Sequence, residues 1–380
     1  TKQPCVKNCH CAAATGTAVT SAKTIDASAL NGALKVTNTA ATVADLTVAG
    51  ATGKNDVTFD PTALTKGAFI GQSADDKVAF GTILLNATVT AVTGDGKDTV
   101  TVDATAITSA AGGAVSIESG AGDDTVNLTS VVVTTGTIAL QFGDGADTLK
   151  LAANSDVTAA NLTFTGLEKL VVNANANFTG AQLTGKTLTV EGTTANAADT
   201  ITVTATAATG ETIDLSGLTG TDSVSTGIKG ALLNGAAGKD VLIGTNRADT
   251  IDGKADADQM TGGAGADRFV IDSDGVATAA VADVITDFSS SAGDAITFGG
   301  AAGEGTGLYA EGATAVADYA AALAAANAAF NADTTATYNA QQVGSDLYVF
   351  YAAAAATSAT EVVKLVGVSL TQFAATDIDA

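Results

Sequence analysis

Over the first 230 residues, apolar side chains alternate with small polar ones in short runs. Examples are Thr99-Val-Thr-Val102, Val115-Ser-Ile117, Thr187-Leu-Thr-Val190 and Thr200-Ile-Thr-Val203. A period of two places alternate side chains on opposite faces, the pattern of a β-strand. Bends of Gly and Asp interrupt the runs about every 20–26 residues, the length of one coil in a wide parallel β-helix. From Gly235 the rhythm shortens to nine residues. Beyond it, an Ala-rich stretch at 313–331 predicts a helix, and Asp346-Leu-Tyr-Val-Phe-Tyr351 with Glu361-Val-Val-Lys-Leu-Val366 predicts a strand pair.

Residues 235–270 divide into four nonapeptides: GAAGKDVLI, GTNRADTID, GKADADQMT and GGAGADRFV. Position one is always Gly (Gly235, Gly244, Gly253, Gly262) and position six always Asp (Asp240, Asp249, Asp258, Asp267). Position eight is large and apolar (Leu242, Ile251, Met260, Phe269). Six turn residues and a three-residue strand make half a coil of a parallel β-roll. Two nonapeptides complete the coil, so Asp240 stacks on Asp258 and Asp249 on Asp267. Adjacent coils lie about 4.8 Å apart. Carboxylates at that spacing repel by roughly 1 kcal/mol in water and several times more when partly buried. A hard dication turns this repulsion into binding. Ca²⁺ accepts six or more oxygens in flexible geometry, whereas Mg²⁺ is too strict for a cage of mixed carbonyls and carboxylates.

On these residues the chain resembles the RTX (repeats-in-toxin, haemolysin-type calcium-binding) family, whose repeat reads G-G-x-G-x-D-x-U-x. The fit varies along the array. Position two is Gly only at Gly263. Position four is Gly238 and Gly265 in the outer repeats but Arg247 and Asp256 in the middle ones. Arg247 is a mismatch in a calcium turn, and Asp256 offers one more carboxylate. The resemblance implies a calcium β-roll over 231–275, with contacts from Gly235, Gly238, Asp240, Gly244, Asp249, Gly253, Asp256, Asp258, Gly262, Gly265 and Asp267. The competing reading is a set of metal-free Asp-Gly bends. A diluted G-x-G-x-D recurs upstream at Gly94/Gly96/Asp98, Gly120/Gly122/Asp124 and Gly143/Gly145/Asp147, where calcium is also expected. At Asp56, Asp76, Asp199 and Asp222, which lack the Gly pair, a self-satisfied Asx-turn is the expectation.

The segment Asp283-Val-Ile-Thr-Asp287-Phe288 followed by Gly293-Asp294 resembles the cap of the β-roll in serralysin-type proteases and other type I secretion substrates. The tail from Leu370 through Phe373 to Asp377 resembles the C-terminal export signal of the same proteins. RTX chains with long Thr-, Ala- and Gly-rich solenoids and no enzyme resemble bacterial S-layer and related cell-surface proteins. Closing the open solenoid edge is the plainer role for the C-terminal hairpin and helix.

Composition sharpens this picture. The net charge of −23, from 17 basic and 40 acidic residues, argues against nucleic acid or anionic membranes as partners. There is one His, and Arg occurs only at Arg247 and Arg268, so neither a His-rich catalytic metal site nor an Arg-lined lyase groove is available. HExxH, GxSxG and Walker motifs are absent, and the expectation is a protein that is not an enzyme. No stretch reaches the roughly 20 strongly apolar residues of a membrane span. Aromatics are 4% of the chain, which weighs against a glycan-binding adhesin, although glycan binding through calcium stays open.

All three cysteines, Cys5, Cys9 and Cys11, lie in an N-terminal arm with His10. Cys5-Val-Lys-Asn-Cys9-His10 resembles a covalent haem c attachment motif with three residues between the cysteines instead of two. Disulfide linkage to a neighbouring subunit, a free thiol and a soft-metal site are the alternatives. The expected architecture is therefore all-β. The arm occupies 1–24, a parallel β-solenoid (β-helix) 25–230, the calcium β-roll 231–275, and a small mixed α/β cap with secretion signal 276–380. The expected role is a secreted, extracellular structural protein that calcium folds and that assembles with copies of itself into a surface layer or filament, after export by type I secretion machinery. A haem-bearing filament and a calcium-dependent adhesin are the rival readings.

Overall fold

In the computed structural model, described residues are 24–38, 45–59, 64–81, 87–104, 113–131, 136–158, 161–192, 199–220, 230–272, 275–276, 278–298, 303 and 308–379. The chain divides into two compact units. One comprises Thr1–Asn177, Leu188–Asp199 and Gly220–Gly227. The other comprises Phe178–Thr187, Thr200–Thr219 and Ile228–Ala380.

The first unit is a parallel β-solenoid in which odd and even strands build two separate walls. Thr24–Asp26, Asp45–Ala49, Lys66–Ile70, Thr88–Val92, Ala114–Gly120, Thr137–Phe142 and Asn161–Thr165 form one 7-stranded parallel sheet. Leu34–Asn38, Asn55–Phe59, Lys77–Phe80, Thr99–Ala104, Thr125–Val131 and Thr148–Asp156 form the other, which continues onto the strand beginning at Lys169 and then Leu188–Gly192. The alternating pattern is the cause. Inward positions stack in register from coil to coil, as in Val36, Val57, Val78, Val100, Val126, Leu149 and Leu170. All seven are buried, and the Thr and Lys residues between them face outward. Each such Val or Leu contributes roughly 1.5–3 kcal/mol by leaving water. Phe59 and Phe80 stack at 4.8 Å between centroids. They fill the space opposite Gly67, where a Cβ would come within 3.0 Å of the Phe80 ring.

The second unit contains the nonapeptides. Its three-residue strands are Val241–Ile243, Thr250–Asp252, Gln259–Thr261 and Arg268–Val270, positions seven to nine of each repeat. Val241–Ile243 pairs in parallel with Gln259–Thr261, and Thr250–Asp252 with Arg268–Val270, so two repeats make one coil. Leu242, Ile251, Met260 and Phe269 are fully buried at position eight. The sheet of Val241–Ile243 and Gln259–Thr261 carries on through Asp283–Ile285 to Glu361–Leu365, where the parallel order ends. Asp346–Tyr351 and Tyr338–Val343 then add antiparallel strands. The helix Tyr319–Ala332 starts at Asp318, whose carboxylate accepts the N–H of Ala321 at 2.9 Å. It buries Ala322, Ala326 and Phe330 in a cluster with Tyr348, Phe350 and Val362. The fold is thus an all-β parallel solenoid with a β-roll and one helix-bearing mixed cap, as expected from the sequence.

Candidate metal centre

Position six of the repeats forms hydrogen-bonded files along the solenoid. Oδ1 of each Asp accepts the backbone N–H of its counterpart one coil earlier. On one side of the C-terminal unit the N–H of Glu211 donates to Asp240, that of Asp240 to Asp258 at 2.8 Å, and that of Asp258 to Asp283 at 3.0 Å. On the other side Ala231 donates to Asp249, Asp249 to Asp267 at 2.8 Å, and Asp267 to Asp294 at 2.9 Å. The stacking of Asp240 on Asp258 and of Asp249 on Asp267 is therefore direct. Glu211, Asp283 and Asp294 extend the files, and sequence reasoning did not place them there. Their signal was half a repeat: Asp283-Val-Ile and Asp294-Ala-Ile keep Asp followed by an inward aliphatic but lack the preceding glycine pattern.

The glycine at position one exists because the second carboxylate oxygen lies over it. A Cβ on Gly235, Gly244, Gly253 or Gly262 would fall 2.7, 2.5, 2.2 or 2.3 Å from Oδ2 of Asp240, Asp249, Asp258 or Asp267. The carboxylate thus folds back into its own turn, among carbonyls of the adjacent coil. Gly253 O, for example, lies 2.2 Å from where a Gly235 Cβ would stand.

The four turns are not equivalent. In the second, Oδ2 of Asp249 accepts the N–H of Thr245, and the Thr245 hydroxyl reaches both carboxylate oxygens at 3.0 and 3.1 Å. This turn closes by hydrogen bonds alone and is the one that carries Arg247. In the first, Asp240 Oδ2 accepts the N–H of Ala236 at 2.8 Å. In the third, Lys254 and Asp256 hold positive φ of 74° and 75° at positions where the fourth repeat has glycine. Asp256 Oδ2 there accepts the N–H of Gly238 at 3.0 Å. In the fourth, Asp267 is 1% exposed, yet its Oδ2 has no hydrogen-bond partner. Asp287 comes to this turn from the next coil and accepts the N–H groups of Gly262 and Gly263 at 2.9 and 2.8 Å.

The electrostatics follow from burial. Desolvation pushes the Asp267 carboxyl up to about 7, with the charges of Asp249, Asp294 and Asp287 adding to the effect. Burial raises Asp249 to about 6 against the hydrogen bonds of Ala231 and Thr245. Asp294 is raised for the same reason. A buried anion without a partner costs at least 1–3 kcal/mol, so Asp267, whose Oδ2 no donor reaches, favours either a proton or a cation.

The upstream motifs build a further file in the N-terminal unit. Asn55 donates to Asp76, Asp76 to Asp98, Asp98 to Asp124, and Asp124 to Asp147, each from its backbone N–H to Oδ1 at 2.7–2.8 Å. The N–H of Asp147 donates to Glu168 Oε2. Gly94 and Gly96 have φ of 95° and 137°, and Gly120 and Gly122 of 92° and 133°. These reproduce the 98° and 134° of Gly263 and Gly265 in the fourth repeat. Gly143 and Gly145 stack on Gly120 and Gly122 in the next coil, where a Cβ would fall 1.7 and 1.9 Å from their carbonyl oxygens.

Two expectations need correction. Asp56 does not close its turn, because Asn55 occupies the inward position and Asp56 instead pairs with Lys35 on the surface. Asp76 is not a self-satisfied Asx-turn: its Oδ2 is buried without a partner. Asp199 accepts the N–H of Ala174 at 2.7 Å. Asp222 and the Cys5, Cys9, His10 and Cys11 arm, with its haem reading, lie outside the described residues. Among the described residues no three His, Cys, Asp or Glu side chains converge as a metal cluster. Any cation in these turns therefore takes much of its shell from backbone carbonyls, as Ca²⁺ does readily. The partnerless carboxylate oxygens beside such turns fit Ca²⁺.

Comparison with protein families agrees with this geometry. Residues 234–269 match the RTX calcium-binding nonapeptide repeat in four copies. A search of curated proteins gives no match to the chain. The segment is an RTX repeat array, a calcium-binding module, and the match covers that array rather than the whole chain.

Proposed function

We propose that this is a secreted structural protein whose solenoid is locked by calcium outside the cell and which assembles with copies of itself into a surface layer or filament. The observation that carries the reading is Asp267, a buried carboxylate in a matched calcium-binding repeat, with one oxygen bonded to the neighbouring coil and the other left over. RTX repeats occur in secreted proteins, and no helix among the described residues is long and apolar enough to cross a membrane. Export by type I machinery keeps the chain unfolded where calcium is scarce. Millimolar external calcium then stabilises the folded state by RT ln(1 + [L]/Kd) at each site. The surplus of 40 acidic over 17 basic residues would oppose lateral packing of bare subunits, and calcium relieves that repulsion. An RTX solenoid is not catalytic in itself, and the reading assigns no residue a catalytic role.

Electron microscopy of the purified chain in calcium and in excess chelator tests the assembly. Ordered sheets or filaments that form in calcium and disperse in chelator support the reading. A monomer at all calcium concentrations overturns its assembly half and leaves a secreted calcium-stabilised monomer.

A further inference from the structure

We infer that the turns of Asp76, Asp98, Asp124 and Asp147 form a second file of calcium sites, in the N-terminal unit and outside the matched repeats, with one ion between each successive pair of turns. This rests on the calcium reading of the array and extends it to a different part of the chain.

The four carboxylates are 2%, 1%, 1% and 0% exposed, and in each the Oδ2 atom is buried with no hydrogen-bond partner. Oδ1 is spent on the N–H of the preceding coil, so what remains on every turn is a carboxylate oxygen that no backbone N–H satisfies, with the Thr93 and Ser119 hydroxyls beside those of Asp98 and Asp124. The Ser119 hydroxyl, 1% exposed, stands at position one of the Asp124 turn within reach of that carboxylate and supplies a further oxygen in the same place.

The backbone makes the comparison with the RTX array specific. Two of these turns share the φ values of the fourth matched repeat to within a few degrees, and the turns stack with no side chain between them. A Cβ on Gly120 or Gly122 would sit 1.9 or 1.8 Å from the carbonyl oxygen of Gly94 or Gly96. Carboxylate and carbonyl oxygens from two consecutive turns are the ligand types that Ca²⁺ accepts and that Mg²⁺, with its rigid octahedron, does not.

The ends of the file support the same assignment. At its start stands Asn55, whose side chain closes its own turn completely: Oδ1 accepts the N–H of Ala51, and Nδ2 donates to Ala51 O and Asp76 Oδ1. An amide at this position needs no cation. Outside the file, the first coils neutralise their surface carboxylates with lysine, Lys35 on Asp56 and Lys54 on Asp75. No ion pair among the described residues reaches Asp76, Asp98, Asp124 or Asp147.

The test counts calcium bound per full-length chain by equilibrium dialysis, with Mg²⁺ alone as a control. It compares the parent, an Asp98→Asn/Asp124→Asn/Asp147→Asn variant, and an Asp240→Asn/Asp258→Asn/Asp267→Asn variant. Asn is chosen because Asn55 already holds that position with hydrogen bonds. The N-terminal variant is expected to lose about three calcium equivalents, one per gap between turns, and the array variant to retain them. An N-terminal variant that binds as much calcium as the parent overturns the inference, as does a parent that binds none. If instead the array variant equals the parent while the N-terminal variant loses calcium, the array reading fails and this one stands. Should a triple variant not fold by circular dichroism, Asp124→Asn alone serves. It removes the carboxylate shared by two gaps, so no loss of calcium from it also overturns the inference.

Discussion

The backbone N–H of Asp249 donates to Oδ1 of Asp267, 18 residues later in the chain, at 2.8 Å. The same geometry recurs down each file, so every acidic turn is fastened to its neighbour through one oxygen and keeps the other for something else. That division of labour explains why a chain so acidic stacks its carboxylates a coil apart.

Replacing Asp267 by Asn keeps an Oδ1 acceptor for Asp249 and removes the buried charge. In chelator, Asp267→Asn should stabilise the protein by about 1–2 kcal/mol, because an unpartnered anion is lost. In millimolar calcium the same variant should be less stable than the parent. Thermal unfolding in both buffers reads the crossover, and a variant that ranks the same way in both contradicts it.

The pH dependence of the calcium-free protein has a definite sign. Burial raises Asp76, Asp147 and Asp249 to about 6 and Asp267 to about 7. Their unfolded values lie near 3.9, so between these limits the native state holds more protons than the unfolded one. Stability is therefore fully present below pH 4 as far as these groups are concerned, and is lost as pH rises through 6–7. Asp267, raised furthest, sets the upper end of that pH window. Urea denaturation in chelator should give a lower midpoint at pH 8 than at pH 5, and saturating calcium should remove most of that slope.

Gly122 has φ of 133°, and a Cβ there would fall 1.8 Å from Gly96 O. Gly122→Ala is expected to cost about 2–4 kcal/mol through backbone strain and separation of the coils. The control Ala79→Ser, at an outward strand position, should stay within about 0.5 kcal/mol of the parent. Equal denaturation midpoints for the two variants would refute the close-stacking account.

The turn of Asp249 closes through Thr245 without an ion. Thr245→Ala removes the two hydroxyl contacts to the Asp249 carboxylate and the acceptor for the Arg247 N–H, and leaves the backbone bond from the residue 245 N–H. The expected loss is about 1–2 kcal/mol, nearly the same in calcium and in chelator. A loss that appears only in calcium would instead make this turn a metal site.

The repeats were legible because three positions per nonapeptide are under separate physical demands. Position eight must fill the core, position six must reach the next coil, and position one must leave room for Oδ2. Asp56 and Asp76 show where that legibility stopped. Asn55 and Asp56 are adjacent and both polar, and which of them faces inward depends on where the strand begins, which alternation alone does not reveal. Asp76 has only Gly71 ahead of it, without the G-x-G signature, yet a Cβ on Gly71 would fall 2.5 Å from Asp76 Oδ2, the same Gly-to-Asp relation at the same spacing. In the neighbouring coils Thr93, Ser119 and Phe142 stand at position one, and there the paired glycines later in the turn carried the signal.

The most direct test of the central claim is the melting temperature of the full chain as a function of free calcium, followed by circular dichroism of the β signal. If calcium locks the solenoid, the midpoint climbs steadily with calcium concentration, as binding to the folded state alone requires, and excess chelator lowers it or melts the fold outright. A midpoint that stays constant from chelator to millimolar calcium would mean that the acidic files are held without metal, and would contradict the account.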